Sequence, residues 1–582
     1  MTVNERVQAL RRLMDENGLS AWIINGTDPH ESEYVSERWK SRRWISGFTG
    51  SAGFVVITAL KALIWVDSRY FVQCAEQIKG SSFEMKKLDG PDASSPVDWI
   101  KENVHGKTGI AADTLMVEKQ RKYAEKGIEI TPFRDLLDEI WTDRPAMPAS
   151  AVVRMSDRLC GESIQSKVDR IRKGVADKGA EWTLVSSLDD IAWTLNLRGS
   201  DIDDTPVFLA HLLIGPSCVK LFTPVSRFTE KLLSELPFEV FEYNEITAHL
   251  GQLENTSILL NPQRINSMLF GALPSSVKVV EGREISTDLK ACKNKAELEG
   301  MRTAHILDGV ALVNFLAMVD EGKYSFTEVS IAQALANERE QEKDYLGPSF
   351  ATIAGFADHG AVIHYSATEE TDREIKGNGL LVLDSGGQYT AGTTDITRTL
   401  LFGRATKEQK EDYTLVLKGH LALAAQVFPE GTNGHQLDIL AHMFLWNRGM
   451  TYFHGTGHGV GFRLSVHEGP QRISIHPASA EVRLQEGMIL SDEPGIYKEG
   501  KHGIRIENLV AVVPAMKTEF GQFYTFETLT CCPYERKLID RDMLTAEEIE
   551  LVDTYHAWVW EKLHSLVDPD AVEYLRKATA PL

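Results

Sequence analysis

Cysteine is scarce in this 582-residue sequence. The six cysteines are Cys74, Cys160, Cys218, Cys292, Cys531 and Cys532. None of them forms a Cys-x-x-Cys pair, so a disulfide-stapled scaffold and a zinc ribbon are both disfavoured. Few, unpatterned thiols are typical of a reducing compartment. We therefore expect a cytoplasmic protein.

Long apolar runs and an excess of basic residues are also missing. No run approaches the ~18 apolar residues of a membrane span, and the polar amino-terminal segment lacks a signal-peptide core. The 62 Lys and Arg residues against 83 Asp and Glu residues leave a formal net charge of −21. A phosphate-backbone binder needs clustered basic residues. We expect neither a membrane nor a nucleic acid as partner.

What the sequence does contain is enough apolar material for several folded domains. Hydrophobic residues make up 43% of the chain and charged residues 25%, which excludes a largely disordered protein. At roughly 150 residues per domain, the length predicts three or four domains.

The first third of the chain follows a helix-then-strand order. An amphipathic helix that stops at Gly18 precedes a strand at 19–24, which predicts an α/β fold. A proline-punctuated stretch at 144–148 indicates a domain boundary. The same order of elements then repeats, with Trp182 in the place of Trp22. A duplicated domain and the general frequency of helix–strand–turn units explain this repeat equally well.

A second junction lies near residues 286–296. Helices are predicted beyond it at 408–428 and 435–446. We predict domains at residues 1–147, 148–290 and 291–582, of which the last holds most of the histidine and glycine motifs.

Four segments of the last domain concentrate acidic and imidazole groups. An apolar strand at 380–383 ends at Asp384, and after two glycine turns Asp395 begins the return strand. Such a hairpin brings both carboxylates to one end of a sheet. A second segment places His454 and His458 among glycines.

The other two segments are strands with acidic residues. The stretch MILSDEPGIY is an apolar strand that ends in Asp492 and Glu493. The stretch HGIRIENLVAVVP is predicted as one strand whose alternation places Arg505 and Glu507 on the same face.

Each segment alone has an ordinary explanation, as a turn cap or as a weak likeness to a dinucleotide loop. Together they form a set of oxygen ligands with one imidazole. Clustered carboxylates repel each other without cations, and two divalent metals ~3.5–4 Å apart would resolve this repulsion. A carboxylate-rich site without thiolates suits Mn²⁺, with Zn²⁺ or Co²⁺ possible.

The order and spacing of these motifs resemble those of the pita-bread metallopeptidases: methionine aminopeptidase, prolidase and Xaa-Pro aminopeptidase. The resemblance implies a dinuclear metal centre bridged by Asp395 and Glu507. Asp384 would complete one metal, and His458 and Glu493 the other. All five ligand positions are intact.

Further motifs resemble the proline-specific members. HGAVIHY carries a substrate-side histidine, His364, and HGTGHGVG followed by VHEGP carries His454 and His467. The resemblance implies catalytic roles for Glu493, which would move a proton, and for His364 and His467, which would stabilise an oxyanion. It implies substrate binding by His364, His454, His467, Tyr497 and Arg505. A packing role for His454, and a role for Arg505 in holding a ligand carboxylate, remain open.

Upstream, WISGFTGSAG and DDIAWTLNLRGSD resemble the two amino-terminal domains of the three-domain, cytosolic-type Xaa-Pro aminopeptidases. The implied fold is α/β (α+β), with two creatinase-like domains followed by a pita-bread catalytic domain. The implied function is hydrolysis of the amino-terminal Xaa-Pro bond of peptides with proline second, by water activated at two metal ions. The resemblance also implies a homodimer formed through the carboxy-terminal domain.

Three alternatives stay open at this point. The first is a prolidase, which cleaves only Xaa-Pro dipeptides; the three-domain length argues against it. The second is creatinase, a metal-free enzyme of the same fold, and the third is a peptidase-like binding module without catalysis. The intact ligand set argues against both.

Overall fold

The computed structural model describes residues 1–67, 70–90 and 92–582. The chain divides into two compact units. The amino-terminal unit comprises Met1–Met155, Glu162–Asp203 and Val207–Ser286. The carboxy-terminal unit comprises Ser156–Gly161, Asp204–Pro206 and Thr287–Leu582.

The first part of the amino-terminal unit is built on a six-stranded sheet. Its strands are β1 (Ala21–Ile24), β2 (Phe54–Thr58), β3 (Ala62–Val66), β4 (Phe83–Lys87), β5 (Thr108–Ala111) and β6 (Ile130–Phe133). Its helices are α1 (Val3–Glu16), α2 (Ser41–Ser46), α3 (Phe71–Gln77), α4 (Pro96–Asn103), α5 (Val117–Glu125) and α6 (Leu137–Ile140). The order is β4-β3-β2-β1-β5-β6. Strands β1, β5 and β6 run parallel, as do β3 and β4, and β2 is antiparallel to its neighbours.

The next segment repeats this arrangement. Its strands are β7 (Val153–Arg154), β8 (Trp182–Val185), β9 (Leu197–Arg198), β10 (His211–Ile214), β11 (Val219–Phe222), β12 (Glu239–Phe241), β13 (Ser257–Leu260) and β14 (Lys278–Glu281). Helix α7 (Asp157–Cys160) interrupts this segment and belongs to the carboxy-terminal unit. The helices of the segment are α8 (Ile164–Asp177), α9 (Leu188–Thr194), α10 (Glu230–Glu235), α11 (Ile246–Gly251) and α12 (Ser267–Gly271). Helix α13 (Ile285–Ala291) begins at the end of the amino-terminal unit and continues into the carboxy-terminal one.

The second large sheet has the order β12-β11-β10-β8-β13-β14. Its strand directions match the first sheet position by position, and Trp22 in β1 corresponds to Trp182 in β8. Identical order and direction over six strands identify a duplicated domain. The boundaries expected after residues 147 and 290 stay predictions.

The carboxy-terminal unit packs helices against antiparallel sheets. Its helices are α14 (Lys295–Asp320), α15 (Glu328–Arg339), α16 (Lys407–Ala424), α17 (Gly434–Trp446), α18 (Ala546–Leu563) and α19 (Val572–Ala578). Its strands are β15 (Phe326–Thr327), β16 (Tyr345–Pro348), β17 (Ile353–Phe356), β18 (Glu374–Ile375), β19 (Gly379–Ser385), β20 (Gly387–Tyr389), β21 (Gly392–Thr393), β22 (Ile396–Phe402), β23 (Phe428–Pro429), β24 (Gly457–Gly459), β25 (Glu468–Ile473), β26 (Ile489–Asp492), β27 (Gly495–Lys498), β28 (His502–Arg505), β29 (Asn508–Thr518) and β30 (Gly521–Thr528).

Two of these sheets carry the acidic motifs. The larger has the order β23-β30-β29-β26-β24-β25, and a three-stranded sheet has the order β17-β19-β22. Two corrections to the predicted elements follow. The helix expected at 408–428 ends at Ala424, and Phe428 instead pairs with Tyr524.

The strand expected at 502–514 is broken in two. Strand β28 pairs with β27, whereas β29 joins the larger sheet. In the break, Glu507 N–H donates to the carbonyl of Thr397 (3.1 Å). The backbone therefore leaves one sheet for another at the position of Glu507.

Helix α14 is the one described helix that is long and apolar enough to cross a membrane by composition. Of its most apolar window, 61% is buried inside the protein. Val313 and Phe315 are fully buried in apolar clusters, as expected for a core helix.

Candidate metal centre

The β19–β22 hairpin positions two of the predicted ligands. Every residue of β19 is buried, which fixes its register against β22. Asp384 lies opposite Thr397 in that register, and Asp395 immediately precedes β22. The two carboxylates therefore share one end of the hairpin.

The predicted imidazole ligand enters from β24, which lies between β25 and β26. A side chain at Gly457 would place its Cβ 1.9 Å from the Ser491 carbonyl oxygen, and one at Gly459 would clash with the backbone of Glu468. The glycines that flank His458 therefore permit the close backbone approach that this sheet requires.

These elements bring the five predicted ligands into one cluster. Ligand atoms of Asp395, His458 and Glu507 lie within 4.8 Å of one another. His458 Nε2 is 3.4 Å from Asp395 Oδ2 and 3.6 Å from Glu493 Oε1. In the described structure, Asp384 Oδ1 and Glu507 Oε1 are buried without a hydrogen-bond partner.

The four carboxylates of the cluster outnumber the cations beside them, since Arg505 forms an ion pair with Asp384 alone. Burial, reinforced by neighbouring carboxylates, raises the pKa of Glu507 well above its ordinary value. Burial raises the pKa of Glu493 to about 7, although His458 and Arg505 lower it. Burial also raises the pKa of Asp384 against the effect of Arg505. Positive charge at the centre would reverse these shifts.

His458 is oriented for a ligand role. Its Nδ1–H donates to the carbonyl of Gly459 (2.9 Å), which leaves Nε2 facing the carboxylates, the usual arrangement of a metal-binding histidine. Burial disfavours its protonated form, but Asp395 and Glu493 outweigh burial and raise its pKa to about 9. Unpartnered carboxylate oxygens, an excess of carboxylates over cations and an oriented imidazole fit a pair of divalent metals.

A chain of hydrogen bonds holds the edge of this cluster. Arg505 Nη2 donates to Asp384 Oδ2 (2.6 Å), and its Nη1 donates to the Tyr497 hydroxyl (2.8 Å). His454 Nδ1–H donates to the Gly455 carbonyl, so its Nε2 accepts from the Tyr497 hydroxyl (2.9 Å). Burial, with the charge of Arg505, lowers the pKa of His454 to about 3. Arg505 therefore positions a predicted ligand through contacts inside the protein.

Replacing Arg505 with lysine should weaken metal binding and turnover by roughly 10–100-fold. A lysine ammonium lacks the fork that reaches Asp384 and Tyr497 together. Titration of the metal-free enzyme with Mn²⁺, followed by activity, measures the effect. The exposed pair of Arg576 with Glu573 provides the control, Arg576→Lys, which should leave the titration unchanged. If Arg505→Lys bound Mn²⁺ with the affinity of the wild type, Arg505 would not be required to position Asp384.

The remaining predicted residues lie around this cluster. The ring of His467 packs edge-on against that of His458, with centroids 4.3 Å apart. His364 is exposed, and it contributes to the electrostatic environment of His454. The roles of the site residues stay predictions.

Sequence reasoning missed three features of the site. The hydroxyl of Thr397 donates to Glu507 Oε2 (2.8 Å), and that of Ser491 donates to Glu493 Oε1 (3.1 Å). Glu468, directly after His467, is fully buried and paired with Lys290 (2.7 Å) and Lys293. The acidic residue in VHEGP could have indicated a charged partner, but the sequence does not identify the two lysines, which lie about 175 residues upstream.

Comparison with known families accounts for almost the whole chain. Metallopeptidase family M24 matches residues 299–514, and the C-terminal region of that peptidase matches residues 522–582. The creatinase/prolidase N-terminal domain matches twice, at 6–140 and 143–297. These matches confirm the expected creatinase-like domains and the carboxy-terminal metallopeptidase domain.

Individual relatives agree. Xaa-Pro aminopeptidase 1 of Dictyostelium discoideum is 36% identical, over 100% of this chain and 97% of the relative. A probable Xaa-Pro aminopeptidase P of Fusarium vanettenii is 39% identical, over 99% and 98%.

Solved structures point the same way. The X-prolyl aminopeptidase of Caenorhabditis elegans, described as a cytosolic enzyme with a di-nuclear active site, superposes with a TM-score of 0.93 at 31% identity and covers 100% of both chains. The Xaa-Pro dipeptidase of Bacillus anthracis (21% identity, TM-score 0.52) shares the fold over 64% of this chain and 99% of its own. The chain belongs to the Xaa-Pro aminopeptidases, hydrolases of metallopeptidase family M24.

Proposed function

We propose that this protein removes the first residue from peptides that carry proline second, with two divalent metal ions held by Asp384, Asp395, His458, Glu493 and Glu507. The observation that carries the proposal is the cluster of buried carboxylates around His458, in which ligand atoms of Asp395, His458 and Glu507 lie within 4.8 Å of one another. The full-length match to Xaa-Pro aminopeptidases favours this function over that of a prolidase.

The chain's own residues supply the remaining chemistry. When bound, the metals provide Lewis acidity and activate water. Glu493 accepts a proton from the attacking water and delivers it to the leaving imino nitrogen. His364 and His467 donate hydrogen bonds to the oxygen of the scissile carbonyl.

Three further residues bind or orient the substrate. Tyr497 and His454 form one wall beside the cluster, with ring centroids 5.4 Å apart. Arg505 holds both Tyr497 and Asp384. We expect peptide binding along this wall, with the orientation of His454 fixed by its two hydrogen bonds.

Proline at the second position calls for a dedicated pocket, because its ring fixes φ and it lacks a backbone N–H. We expect release of the first residue from Xaa-Pro-Xaa tripeptides. For tripeptides with alanine at the second position, we expect kcat/KM to be lower by at least about 10²-fold, because a pocket shaped for one side chain discriminates against others. Chromatography of the products gives both rates. Turnover confined to Xaa-Pro dipeptides would instead indicate a prolidase.

Manganese is the proposed metal. Four carboxylates and one imidazole, without thiolate, form a ligand set that Mn²⁺ accepts readily, and Zn²⁺ or Co²⁺ also fit such donors. Metal analysis of the purified protein, with reconstitution by each ion, distinguishes the three.

We also propose a homodimer formed through the carboxy-terminal domain. Phe520 lies at the tip of the β29–β30 hairpin and Met516 lies within β29, and they are 83% and 51% exposed. Exposed apolar surface of this kind is typical of interfaces. In the same domain, Cys531 and Cys532 are buried in the core of their own chain, so these two side chains are not available for the dimer interface.

The proposed compartment is the cytosol. Six free cysteines suit a reducing environment, and the Caenorhabditis elegans relative is described as cytosolic.

A further inference from the structure

A cavity of about 710 Å³ lies in the amino-terminal unit, at the carboxyl ends of three parallel strands. Pro29 lies beyond the end of β1, Asp113 beyond β5, and Phe133 at the end of β6. In open α/β sheets, ligands bind in the crevice outside the carboxyl ends of the strands. None of the five metal-ligand residues lines this cavity.

Both copies of the duplicated domain build the cavity. The first copy supplies the strand ends. The second contributes Tyr243 and Asn244, just before α11, and Met268 of α12. The volume falls within the roughly 300–1,000 Å³ of small-molecule sites.

One part of the lining is apolar. Its members are Trp39, Phe133, Met147 and Met268. A bare metal ion gains nothing from such surface, whereas an organic ligand with an apolar body does.

The charged part of the lining consists of Arg38, Arg134, Asp113, Asp135 and Asp138, and Arg134 is paired with Glu139 (2.9 Å) outside it. Asp135 and Asp138 are both paired with Arg144, at 2.7 and 2.9 Å, and Asp138 also meets Arg38. Among the described residues, Asp113 has no ion-pair partner, and its carboxyl group accepts a hydrogen bond from its own backbone N–H. Burial raises the pKa of Asp113 to about 6; Asp135 and Asp138 raise it further and Arg144 lowers it.

Tyr243 presents an acceptor at the same place. The buried His30 donates its Nδ1–H to the Ser186 carbonyl (2.9 Å), so its Nε2 accepts the hydroxyl proton of Tyr243 (2.9 Å). Burial lowers the pKa of His30, which keeps this ring neutral. With its proton committed to His30, the oxygen of Tyr243 retains lone pairs for a donor.

We propose that this cavity binds a small organic ammonium ligand, a primary amine on an apolar body, through Asp113 and Tyr243. An ammonium group has three donors and no acceptor, which matches a lone carboxylate beside a phenol oxygen. The apolar body occupies the surface of Trp39, Phe133 and the two methionines. This site is separate in sequence from the peptidase centre and does not depend on the proposed function.

The test is calorimetric titration of the full-length protein with 2-phenylethylammonium chloride. We expect saturable binding with one site per chain that depends on Asp113. Asp113→Asn should bind the amine about 10–100-fold more weakly, because it loses a hydrogen bond to a charged group. Tyr243→Phe should bind it about 2–10-fold more weakly, because it loses one hydrogen-bond acceptor. The uncharged 2-phenylethanol should bind at least 10-fold more weakly than the amine.

Controls separate this site from other amine sites and from misfolding. Asp143 is exposed on the same segment, so Asp143→Asn should bind as the wild type does. All variants should keep the wild-type circular dichroism spectrum and rate of tripeptide hydrolysis. No saturable binding to the wild type, an undiminished affinity in Asp113→Asn, or equal binding of the alcohol would each overturn the proposal.

Discussion

Replacing Asp395 with asparagine should lower kcat/KM for an Xaa-Pro-Xaa tripeptide by about 10³-fold or more. Lewis-acid stabilisation contributes several kcal/mol to a transition state, and each 1.36 kcal/mol is a factor of ten in rate. Asp395 lies 3.4 Å from His458 and raises the pKa of Asp384, so it belongs to the ligand cluster. Its loss should therefore also lower the metal content per chain. Steady-state kinetics and metal analysis of the same preparation measure both effects.

The matched control for this substitution is Asp570→Asn. Asp570 is exposed, in the same unit of the chain, and its replacement should leave rate and metal content unchanged. Wild-type turnover by Asp395→Asn would contradict the assignment of the centre.

The second large effect concerns stability. Replacing Glu468 with glutamine should destabilise the protein by about 3–5 kcal/mol, because removal of one partner leaves buried charge uncompensated. The side chains of Lys290, Lys293 and Glu468 are 4%, 1% and 0% exposed. Denaturant unfolding, followed by circular dichroism, measures the change. Because Glu468 adjoins His467, we also expect a lower kcat.

An exposed ion pair provides the comparison. Lys376 and Glu374 are 73% and 52% exposed, so Glu374→Gln should change stability by at most about 1 kcal/mol. If the two substitutions had equal effects, the buried group would have no special role in stability.

Sequence patterns predicted those strands, helices and glycine positions that are determined by residues close together in the chain. Apolar strands that end in Asp384 and Asp492, and glycines on both sides of His458, are local signals, and the structure has a strand at each place. The boundaries of α17 agree closely with the predicted helix at 435–446 for the same reason. The duplication needed the structure, since only strand order and direction distinguish it from a chance repeat.

Contacts between distant segments were beyond sequence reasoning. The break at Glu507 arises because its N–H pairs with Thr397, 110 positions earlier. The partners of Glu468 and the bond of Tyr243 to His30, 213 positions apart, likewise depend on how the chain folds back. Alternation within one strand contains no information about these pairings.

Hydrolysis by this protein should require two metal ions at the carboxylate cluster. The most direct test of this requirement follows turnover of an Xaa-Pro-Xaa tripeptide before chelation, after exhaustive chelation and dialysis, and during stepwise return of Mn²⁺. We predict loss of at least about 10³-fold in rate on metal removal, with recovery that is complete at two equivalents per chain. Undiminished turnover by protein shown to be metal-free would contradict the two-metal mechanism.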